Sequence, residues 1–224
     1  MQRIPGDTLD INRKERAQTP SLEIENRLPT LRICDFEEVR IPFTPEQAMY
    51  EASRCIECPD PAACVRACPV NNDIPSAMWL ISQGEFLDAA KIYRETSSLP
   101  EICGRVCPHD KLCEGSCVQG KHAKPVATGA LEAFVIDYER KHGQIDLKVP
   151  EWVGQKVAIV GAGPSGLSCA EQLLKKGYKV TVFESKPQPG GLLLYGIPNF
   201  IPNLEISSIR SKTTFLSSLK FGMP

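Results

Sequence analysis

The 224-residue sequence has no surplus of charge of either sign, since 26 Lys and Arg residues face 27 Asp and Glu residues and leave a formal net charge of −1. A protein that binds nucleic acid through bulk charge needs a basic surplus, so that class is not favoured. The sequence also lacks an apolar run near the ~20 residues of a membrane-spanning helix, and its first residues lack the apolar stretch of a secretion signal. We therefore expect a cytoplasmic protein of one or two domains with no membrane span.

Cysteine, by contrast, is abundant and concentrated. Eight of the ten cysteines fall within residues 55–117, in two groups that each contain a Cys-Pro pair. In the reducing cytoplasm disulfides are rare, so these thiols indicate metal binding or redox chemistry. The eight are Cys55, Cys58, Cys64 and Cys68 in the first group, and Cys103, Cys107, Cys113 and Cys117 in the second.

Three explanations are open for the two groups, namely iron–sulfur clusters, zinc sites and structural thiols. A run that ends in Cys-Pro is typical of bacterial ferredoxins, in which the last cysteine binds the other cluster of a pair. Zinc is disfavoured because eight thiols in two staggered groups exceed what one closed tetrahedral site uses. The spacing favours two 4Fe–4S clusters without making every cysteine a ligand. The isolated Cys34 and Cys169 are predicted to have no special role.

Helical patterns surround the cysteine groups. They predict a helical domain over residues 44–150, after an extended arm over residues 1–43. Thr44 followed by Pro45 is the signature of a capped helix start, and this helix is predicted to run to about Arg54. Apolar periodicity predicts further helices over residues 75–83, 85–96 and 126–142, the second of them ending before a break at Pro100.

Residues 151–224 have a different pattern and are predicted to begin a Rossmann-like domain. A short apolar strand over residues 156–160, a helix over 164–176 and a second strand over 179–184 form a βαβ unit. The loop between the first strand and the helix is Gly161-Ala162-Gly163-Pro164-Ser165-Gly166, the G-x-G-x-x-G pattern of a dinucleotide site.

Each glycine of this loop has a predicted task. Gly161 permits a tight turn, Gly163 lets the backbone approach a pyrophosphate, and Gly166 allows the helix to pack closely on the strand. Glu184 ends the second strand, at the position where an acid binds a ribose hydroxyl. The predicted dinucleotide contacts also include Ala162, Pro164 and Ser165, the other residues of the loop, and the helix start offers free N–H groups to the phosphates.

Four segments around the cysteines carry a resemblance to a known family. They are Arg54-Cys55-Ile56-Glu57-Cys58, Ala67-Cys68-Pro69-Val70, Pro100-Glu101-Ile102-Cys103-Gly104-Arg105-Val106-Cys107-Pro108 and Leu112-Cys113-Glu114-Gly115-Ser116-Cys117. Together they resemble the small subunit of NADPH-dependent glutamate synthase. They are also similar to the iron–sulfur domain of dihydropyrimidine dehydrogenase and to the large subunit of electron-bifurcating ferredoxin:NADP oxidoreductases. The match runs from about residue 37 to residue 200.

The resemblance implies that the ligands of two 4Fe–4S clusters are crossed between the two cysteine groups. One cluster is then held by Cys55, Cys58, Cys64 and Cys117. The other is held by Cys68, Cys107 and Cys113, with Glu132 as the fourth ligand. One departure from the family is the five-residue spacer before Cys64, where relatives often have four residues. An extra residue fits in a bulge, so Cys64 is kept as a ligand.

Glu132 lies at a position where family members have Gln or Glu. Its neighbours Val135 and Ile136 are apolar, which indicates that Glu132 does not belong to a charged helix face. The small Gly129 is expected to let a bulky cluster approach the helix. Cys103 has no iron to bind in this assignment, and we expect it to be a buried thiol near the cluster.

The segment Pro189-Gly190-Gly191-Leu192-Leu193 resembles the flavin loop of the same family. This resemblance favours FAD over a nicotinamide and adds Gly191 and Leu192 to the predicted cofactor contacts. Residues 151–224 are too few for a complete doubly wound domain, and they contain no second G-x-G-x-x-G, where family members bind NADPH. NADPH or NADH is therefore expected only in the wider assembly. The chain is then a fragment, a split subunit completed by another chain, or a degenerate form that keeps only the clusters.

The predicted fold class is α + α/β, with a helical di-cluster domain followed by the first, incomplete βαβ unit of an FAD-binding domain. By resemblance, the chain is an electron-transfer subunit that works between a flavin and the clusters, in an NAD(P)H-linked assembly with other redox subunits. No Ser-His-Asp or Cys-His pattern predicts a catalytic side chain. The alternatives are a flavin-free iron–sulfur wiring subunit and a zinc-stabilised scaffold. His109 and His122 are expected on the surface rather than as hydrogen-bond partners of a cluster.

Overall fold

The computed structural model describes residues 11–143, 150–198, 201 and 220–222. The chain divides into two compact units after Gly143, except that residues 36–38 group with the second unit. Part of the predicted linker, residues 144–149, lies outside the described residues. No described helix is long and apolar enough to cross a membrane. The predicted domain boundaries and the cytoplasmic location stay predictions.

Eight helices build the first unit within the described residues. They are α1 (Arg13–Gln18), α2 (Pro29–Arg32), α3 (Pro45–Ser53), α4 (Ala63–Ala67), α5 (Ile74–Ser82), α6 (Phe86–Thr96), α7 (Pro100–Val106) and α8 (Thr128–His142). Two short 3₁₀ turns, His109–Lys111 and Val118–Lys121, lie between α7 and α8. Helices α1 and α2 lie within the segment for which the sequence predicts an extended arm.

Helix α3 begins as its sequence predicts. The Thr44 hydroxyl accepts a hydrogen bond of 3.2 Å from the Gln47 backbone N–H, and the Gln47 side chain accepts one of 2.9 Å from the Thr44 N–H. Pro45 occupies the first helical position, where its missing N–H has no intrahelical partner to lose. Helix α3 ends at Ser53 and so leads directly to Cys55, the first cysteine of the candidate site.

Helix α7 begins at Pro100, where the sequence predicts only a break. Proline has no backbone N–H and a fixed φ, so it disrupts a helix interior but suits a first helical position. The same residue therefore separates α6 from α7 and starts α7. This helix carries Cys103 and ends with Cys107 at its C-cap.

The core of the first unit lies where α3, α5, α6 and α8 pack together. Ala48 and Ala52 of α3 are fully buried, and their small side chains allow α5 to approach closely. Met78, Ile81 and Leu131 fill the space with fully buried side chains, each contributing about 1.5–3 kcal/mol of burial free energy. Four cysteines pack against this core: Cys55, Cys64, Cys68 and Cys117.

The second unit contains a parallel sheet, and its described strands have the order β1-β2-β3. Strands β1 (Lys156–Val160) and β2 (Lys179–Phe183) flank α9 (Pro164–Lys175), which confirms the predicted βαβ unit. Strand β3 (Lys220–Gly222) pairs with β2, and a short helix α10 (Leu192–Tyr195) follows β2 along the chain. The core of this unit consists of Ala162, Ala170, Leu174, Val180 and Val182.

Candidate cofactor sites

Four cysteines from both sequence groups line one cavity of the first unit. They are Cys55, Cys58, Cys64 and Cys117. The cavity has an empty volume of about 440 Å³, its open mouth included, and its apolar wall includes Ile74, Pro75, Met78 and Val126. The structure therefore brings together the four cysteines that the resemblance implies for one cluster.

Burial dominates the electrostatics of this cavity. It raises the pKa of the Cys55 and Cys58 thiols above their ordinary value and that of Cys64 to about 12. After burial, Cys117 is the next cause of the raised pKa of both Cys58 and Cys64. If they were ionised together, these sulfur atoms from the two groups would repel each other. Four sulfur donors in such a setting need a cationic centre in order to be ionised together, as the iron of a cluster provides.

A second group of side chains gathers around the ends of α4 and α7 and the middle of α8. Cys68 is the C-cap of α4, Cys107 is the C-cap of α7, and Glu132 belongs to α8. Burial raises the pKa of Cys113 to about 12, and both Glu132 and Cys68 add to the effect. The pKa of Cys107 is lowered because Cys103 donates a hydrogen bond to its sulfur. These four candidate ligands thus influence one another across three helices.

Glu132 has the environment of a ligand rather than of a surface charge. It is 5% exposed, and its Oε1 atom has no hydrogen-bond partner among the described residues. Burial raises the pKa of its carboxyl well above the usual range, and Cys103 and Glu101 raise it further. A buried oxygen without a partner is destabilising by about 1–3 kcal/mol. Coordination to a cation removes that penalty, so Glu132 fits an iron cluster.

The space beside Gly129 is filled by His109, which corrects two expectations. A Cβ atom on Gly129 would lie 2.3 Å from His109 Cε1, so the glycine makes room for the imidazole ring rather than for a cluster. His109 is 9% exposed, and its predicted surface position is wrong. Its backbone carbonyl accepts hydrogen bonds from the N–H groups of Leu112, Glu114 and Gly115. His109 thus organises the turn that contains Cys113, whereas His122 is exposed as predicted.

Helices α7 and α8 approach closely beside the second group. A Cβ atom on Gly104 would lie 2.7 Å from the backbone nitrogen of Ala133, so only glycine fits at this contact. One turn further along α8, Arg105 Nη2 and Asp137 Oδ2 form an ion pair of 2.6 Å. The close approach places the end of α7, with Cys107, beside Glu132.

The spacing of the candidate ligands does not suit a mononuclear site. Among the residues that the structure describes, no three His, Cys, Asp or Glu side chains converge closely enough to hold one metal ion. A zinc site with Zn–S distances of about 2.3 Å needs sulfur atoms roughly 4 Å apart. A four-iron cluster stands between its cysteines and separates them further. The described residues therefore form no compact mononuclear site.

Two arginines of α1 hold the loop of the four-cysteine cavity. Arg13 Nε donates a hydrogen bond of 3.0 Å to the Ile56 carbonyl, and Arg16 Nη1 donates one of 2.8 Å to the Cys55 carbonyl. The Arg16 guanidinium also lies 5.5 Å from the ring centroid of Trp79. No sequence pattern pointed to this role. The only available signal, two arginines three positions apart, is shared by many exposed helices.

A buried ion pair connects the N-terminal segment with the segment before α8. Glu51 and Arg54 are fully buried, and Arg54 Nη1 lies 2.5 Å from Glu51 Oε1. Glu51 Oε2 accepts a hydrogen bond of 3.0 Å from the Leu22 N–H, and Arg54 Nη2 donates one of 2.6 Å to the Lys124 carbonyl. The pair immediately precedes Cys55 and fixes where this cysteine enters the cavity.

The glycine loop of the second unit has the geometry that its pattern predicts. Gly161 has a φ of +96°, which favours glycine. A Cβ atom on Gly166 would lie 2.0 Å from the Gly161 carbonyl oxygen, so glycine is required where α9 packs on the end of β1. A Cβ atom on Gly163 would meet only the Gly191 Cα, at 4.0 Å. Pro164 takes the first helical position of α9, and Ser165 is exposed.

Glu184 and the second glycine pair lie against this loop. Glu184 accepts hydrogen bonds of 2.8 Å from the N–H groups of Lys186 and Ala162, and these bonds lower the pKa of its carboxyl. A carboxylate has about four lone-pair positions, so acceptor capacity remains for a ribose hydroxyl. A Cβ atom on Gly191 would lie 2.7 Å from the Cα of Gly163, and the Leu192 side chain is exposed. The structure therefore brings Gly191 to the loop but leaves Leu192 open to solvent.

Two family models match the chain in the two places where these sites lie. Residues 32–144 match the model of dihydropyrimidine dehydrogenase domain II, 4Fe-4S cluster. Residues 159–196 match the model of an NAD(P)-binding Rossmann-like domain. The helical unit is thus a 4Fe–4S domain, and the second unit is the start of a Rossmann-like domain.

Individual proteins with similar sequences also match this chain across both of these regions. The chain is 40% identical over 193 residues to a glutamate synthase (NADPH) small chain from Halomonas elongata, covering 86% of this chain and 39% of the relative. It is 44% identical to the putative oxidoreductase UacF of Escherichia coli K12, and the match covers 86% of this chain and 30% of the relative. It is 40% identical to the NAD-dependent dihydropyrimidine dehydrogenase subunit PreT of Salmonella typhimurium, and the match covers 73% of this chain and 40% of the relative.

The chain spans less than half the length of each of these relatives. The resemblance to glutamate synthase small subunits, predicted from the cysteine motifs, is confirmed. The chain therefore belongs to the family described as dihydropyrimidine dehydrogenase domain II, 4Fe-4S cluster.

Proposed function

We propose that this chain is an electron-transfer oxidoreductase subunit whose helical unit holds two 4Fe–4S clusters. The observation that carries the proposal is the single cavity lined by Cys55, Cys58, Cys64 and Cys117. Cys117 belongs to the second cysteine group, so the fold itself joins thiols from the two groups. We infer that these four cysteines hold one cluster.

The second cluster is held by Cys68, Cys107, Cys113 and Glu132. Three observations support this assignment, namely the burial of Glu132, its Oε1 atom without a hydrogen-bond partner, and the mutual electrostatic effects within the set. Cys64 and Cys68 are one helical turn apart, yet they serve different clusters in this scheme. Crossed ligands hold the two clusters close together in one rigid domain, which suits electron tunnelling between them.

The second unit binds FAD in this proposal. Support comes from the glycine loop with its tight contact at Gly166, from Glu184 at the end of β2, and from Gly191 packed against the loop. The Rossmann-like family model covers the same residues. The nicotinamide cofactor, NADPH or NADH, belongs to the wider assembly rather than to the described residues.

When bound, the flavin and the clusters supply the redox chemistry of such an enzyme. The residues of the chain hold these groups, exclude water with apolar walls and tune their potentials through hydrogen bonds and burial. Two of the matched relatives are named as a small chain and a subunit of larger enzymes. We therefore infer that this chain passes electrons to or from another redox subunit, NAD(P)H being the ultimate donor or acceptor.

Analysis of anaerobically purified protein tests the proposal. We expect about eight iron and eight sulfide ions per chain, from two four-iron clusters, together with FAD released by denaturation. Zinc without labile sulfide would contradict it and favour a scaffold. A full complement of iron without any flavin would favour the wiring subunit instead.

Substitutions test the ligand assignment separately. Cys68→Ser and Glu132→Ala are each expected to damage one cluster and to spare the EPR signal of the other in its reduced state. The matched control is Cys103→Ser, which removes a neighbouring thiol that is not a ligand and should retain both signals. Equal loss of both signals in Cys68→Ser or Glu132→Ala contradicts the crossed assignment.

A further inference from the structure

Tyr93 of helix α6 is a buried residue with an unexplained polar atom. Its side chain has no exposed surface, and its hydroxyl has no hydrogen-bond partner among the described residues. A buried hydroxyl normally finds a partner, because leaving it without one is destabilising. A phenylalanine would fill the same apolar space without that penalty, so packing alone does not account for a tyrosine.

Several of the proposed cluster ligands lie in the same part of the core as Tyr93. Helix α6 packs against α8, the helix that carries Glu132. Tyr93 and Cys113 belong to one buried cluster, Cys64 and Cys68 pack against that cluster, and Glu132 is a buried residue of α8. Three of these four proposed ligands belong to the second proposed iron–sulfur cluster, and only Cys64 belongs to the first.

The hydroxyl is a donor at every ordinary pH. The ordinary pKa of a tyrosine hydroxyl is about 10, so the group is protonated at neutral pH. A protonated phenol donates one hydrogen bond, and the sulfur atoms of iron–sulfur clusters accept such bonds. The buried cluster that contains Tyr93 also contains Ile81, Leu131 and Val135, and aliphatic side chains provide no acceptor.

We propose that the Tyr93 hydroxyl donates a hydrogen bond to a sulfur of the cluster held by Cys68, Cys107, Cys113 and Glu132, and thereby sets its reduction potential. The inference rests on the proposed function, since it requires that cluster. Reduction adds negative charge to the cluster, so a hydrogen-bond donor stabilises the reduced state more than the oxidised state. Removal of the donor therefore lowers the midpoint potential. Tyr93 is a positioning residue that acts through the cluster.

The variant Tyr93→Phe removes only the hydroxyl and keeps the ring. We expect unchanged iron and sulfide content, and a midpoint potential of the second cluster shifted downward in a redox titration followed by EPR. The first cluster should keep its potential. The matched control is Tyr138→Phe, because the Tyr138 ring packs against Phe86 and Phe134, and this variant should leave both potentials unchanged.

A second measurement leaves the packing intact. Protein labelled with 3-fluorotyrosine carries a more acidic phenol and hence a stronger donor, so the midpoint potential of the second cluster should rise. The same label in the Tyr93→Phe variant should have no effect on that potential. Equal potentials in labelled and unlabelled wild-type protein would overturn the inference, as would a shift confined to the first cluster. Absence of both clusters from wild-type protein would instead overturn the proposed function, so the two failures are distinguishable.

Discussion

The guanidinium of Arg16 donates a hydrogen bond of 2.8 Å to the backbone carbonyl of Cys55, 39 residues further along the chain. This contact joins helix α1 to the loop that begins the four-cysteine cavity. Arg13 Nε donates a similar hydrogen bond, of 3.0 Å, to the backbone carbonyl of Ile56. The N-terminal segment therefore stabilises the loop from outside, at backbone atoms that the cysteine side chains cannot fix.

Replacement of Arg16 with glutamine should loosen this loop. Hydrogen bonds from charged donors contribute about 1.5–3 kcal/mol, and partial exposure of Arg16 reduces the effect to about 1–2 kcal/mol. Such a change makes opening of the loop about 5–30 times more frequent. We expect faster loss of iron to a chelator from the cluster at Cys55, measured by the decay of its EPR signal under anaerobic conditions.

The matched control is Lys14→Gln, which removes one positive charge from the same helix. If Lys14→Gln accelerates iron loss as much as Arg16→Gln, the effect is one of net charge and the hydrogen bond to Cys55 is irrelevant. The signal of the second cluster should decay at the wild-type rate in both variants, since the described contacts of the Arg16 side chain are with Cys55, Glu57 and Trp79, and none of these is a proposed ligand of that cluster.

The Glu51–Arg54 pair provides a prediction about stability. Replacement of Arg54 with methionine leaves the Glu51 carboxylate buried without its partner, and loss of one member of a buried pair costs about 3–5 kcal/mol. We expect the free energy of unfolding, measured in urea on the anaerobic holoprotein, to fall by this amount.

A surface pair is the comparison for this experiment. Arg27 lies 2.5 Å from Asp35, but the two side chains are 23% and 35% exposed. Arg27→Met should therefore lower the free energy of unfolding by less than about 1 kcal/mol. Equal effects of the two substitutions would show that the burial of Arg54 does not matter.

Local signals explain why several elements could be predicted from the sequence. The predicted start of α3 at Thr44 and Pro45 agrees with the structure because the capping box is a local interaction. The βαβ unit was predicted within one or two residues because Gly161 and Gly177 end its elements and its apolar strands are short and continuous. Both kinds of signal depend only on neighbouring residues.

Long-range contacts explain what the sequence could not show. The burial of His109 depends on Gly129, twenty positions away, and the bond from Arg16 to Cys55 crosses 39 positions. The meeting of Cys117 with Cys55 also follows from tertiary packing, and spacing alone left the pairing of the two groups open. The resemblance to a family, rather than any periodicity, suggested the crossed ligand set.

Substitutions at two glycines of the second unit distinguish an effect on folding from an effect on cofactor binding. Gly166→Ala forces a Cβ atom to within 2.0 Å of the Gly161 carbonyl oxygen, so α9 must move away from β1 and the unit should lose stability. Gly163→Ala meets only one atom, at 4.0 Å, so the fold should tolerate it. The new Cβ atom nevertheless occupies the place where a pyrophosphate approaches the backbone.

We therefore expect Gly163→Ala to retain the unfolding temperature of flavin-free wild-type protein and to lose FAD, as measured by flavin fluorescence after denaturation. Gly166→Ala should lose both stability and FAD. Wild-type flavin content in Gly163→Ala would place the cofactor elsewhere than on this loop.

The most direct test of the central claim compares two cysteines that are four positions apart in the sequence. Cys113 is assigned to the cluster with Glu132, whereas Cys117 lines the cavity with Cys55, Cys58 and Cys64. The measurement is the EPR spectrum of reduced, anaerobically purified Cys113→Ser and Cys117→Ser, taken together with iron content. The crossed arrangement predicts that each variant loses a different signal and keeps the other. Loss of the same signal from both variants would contradict it.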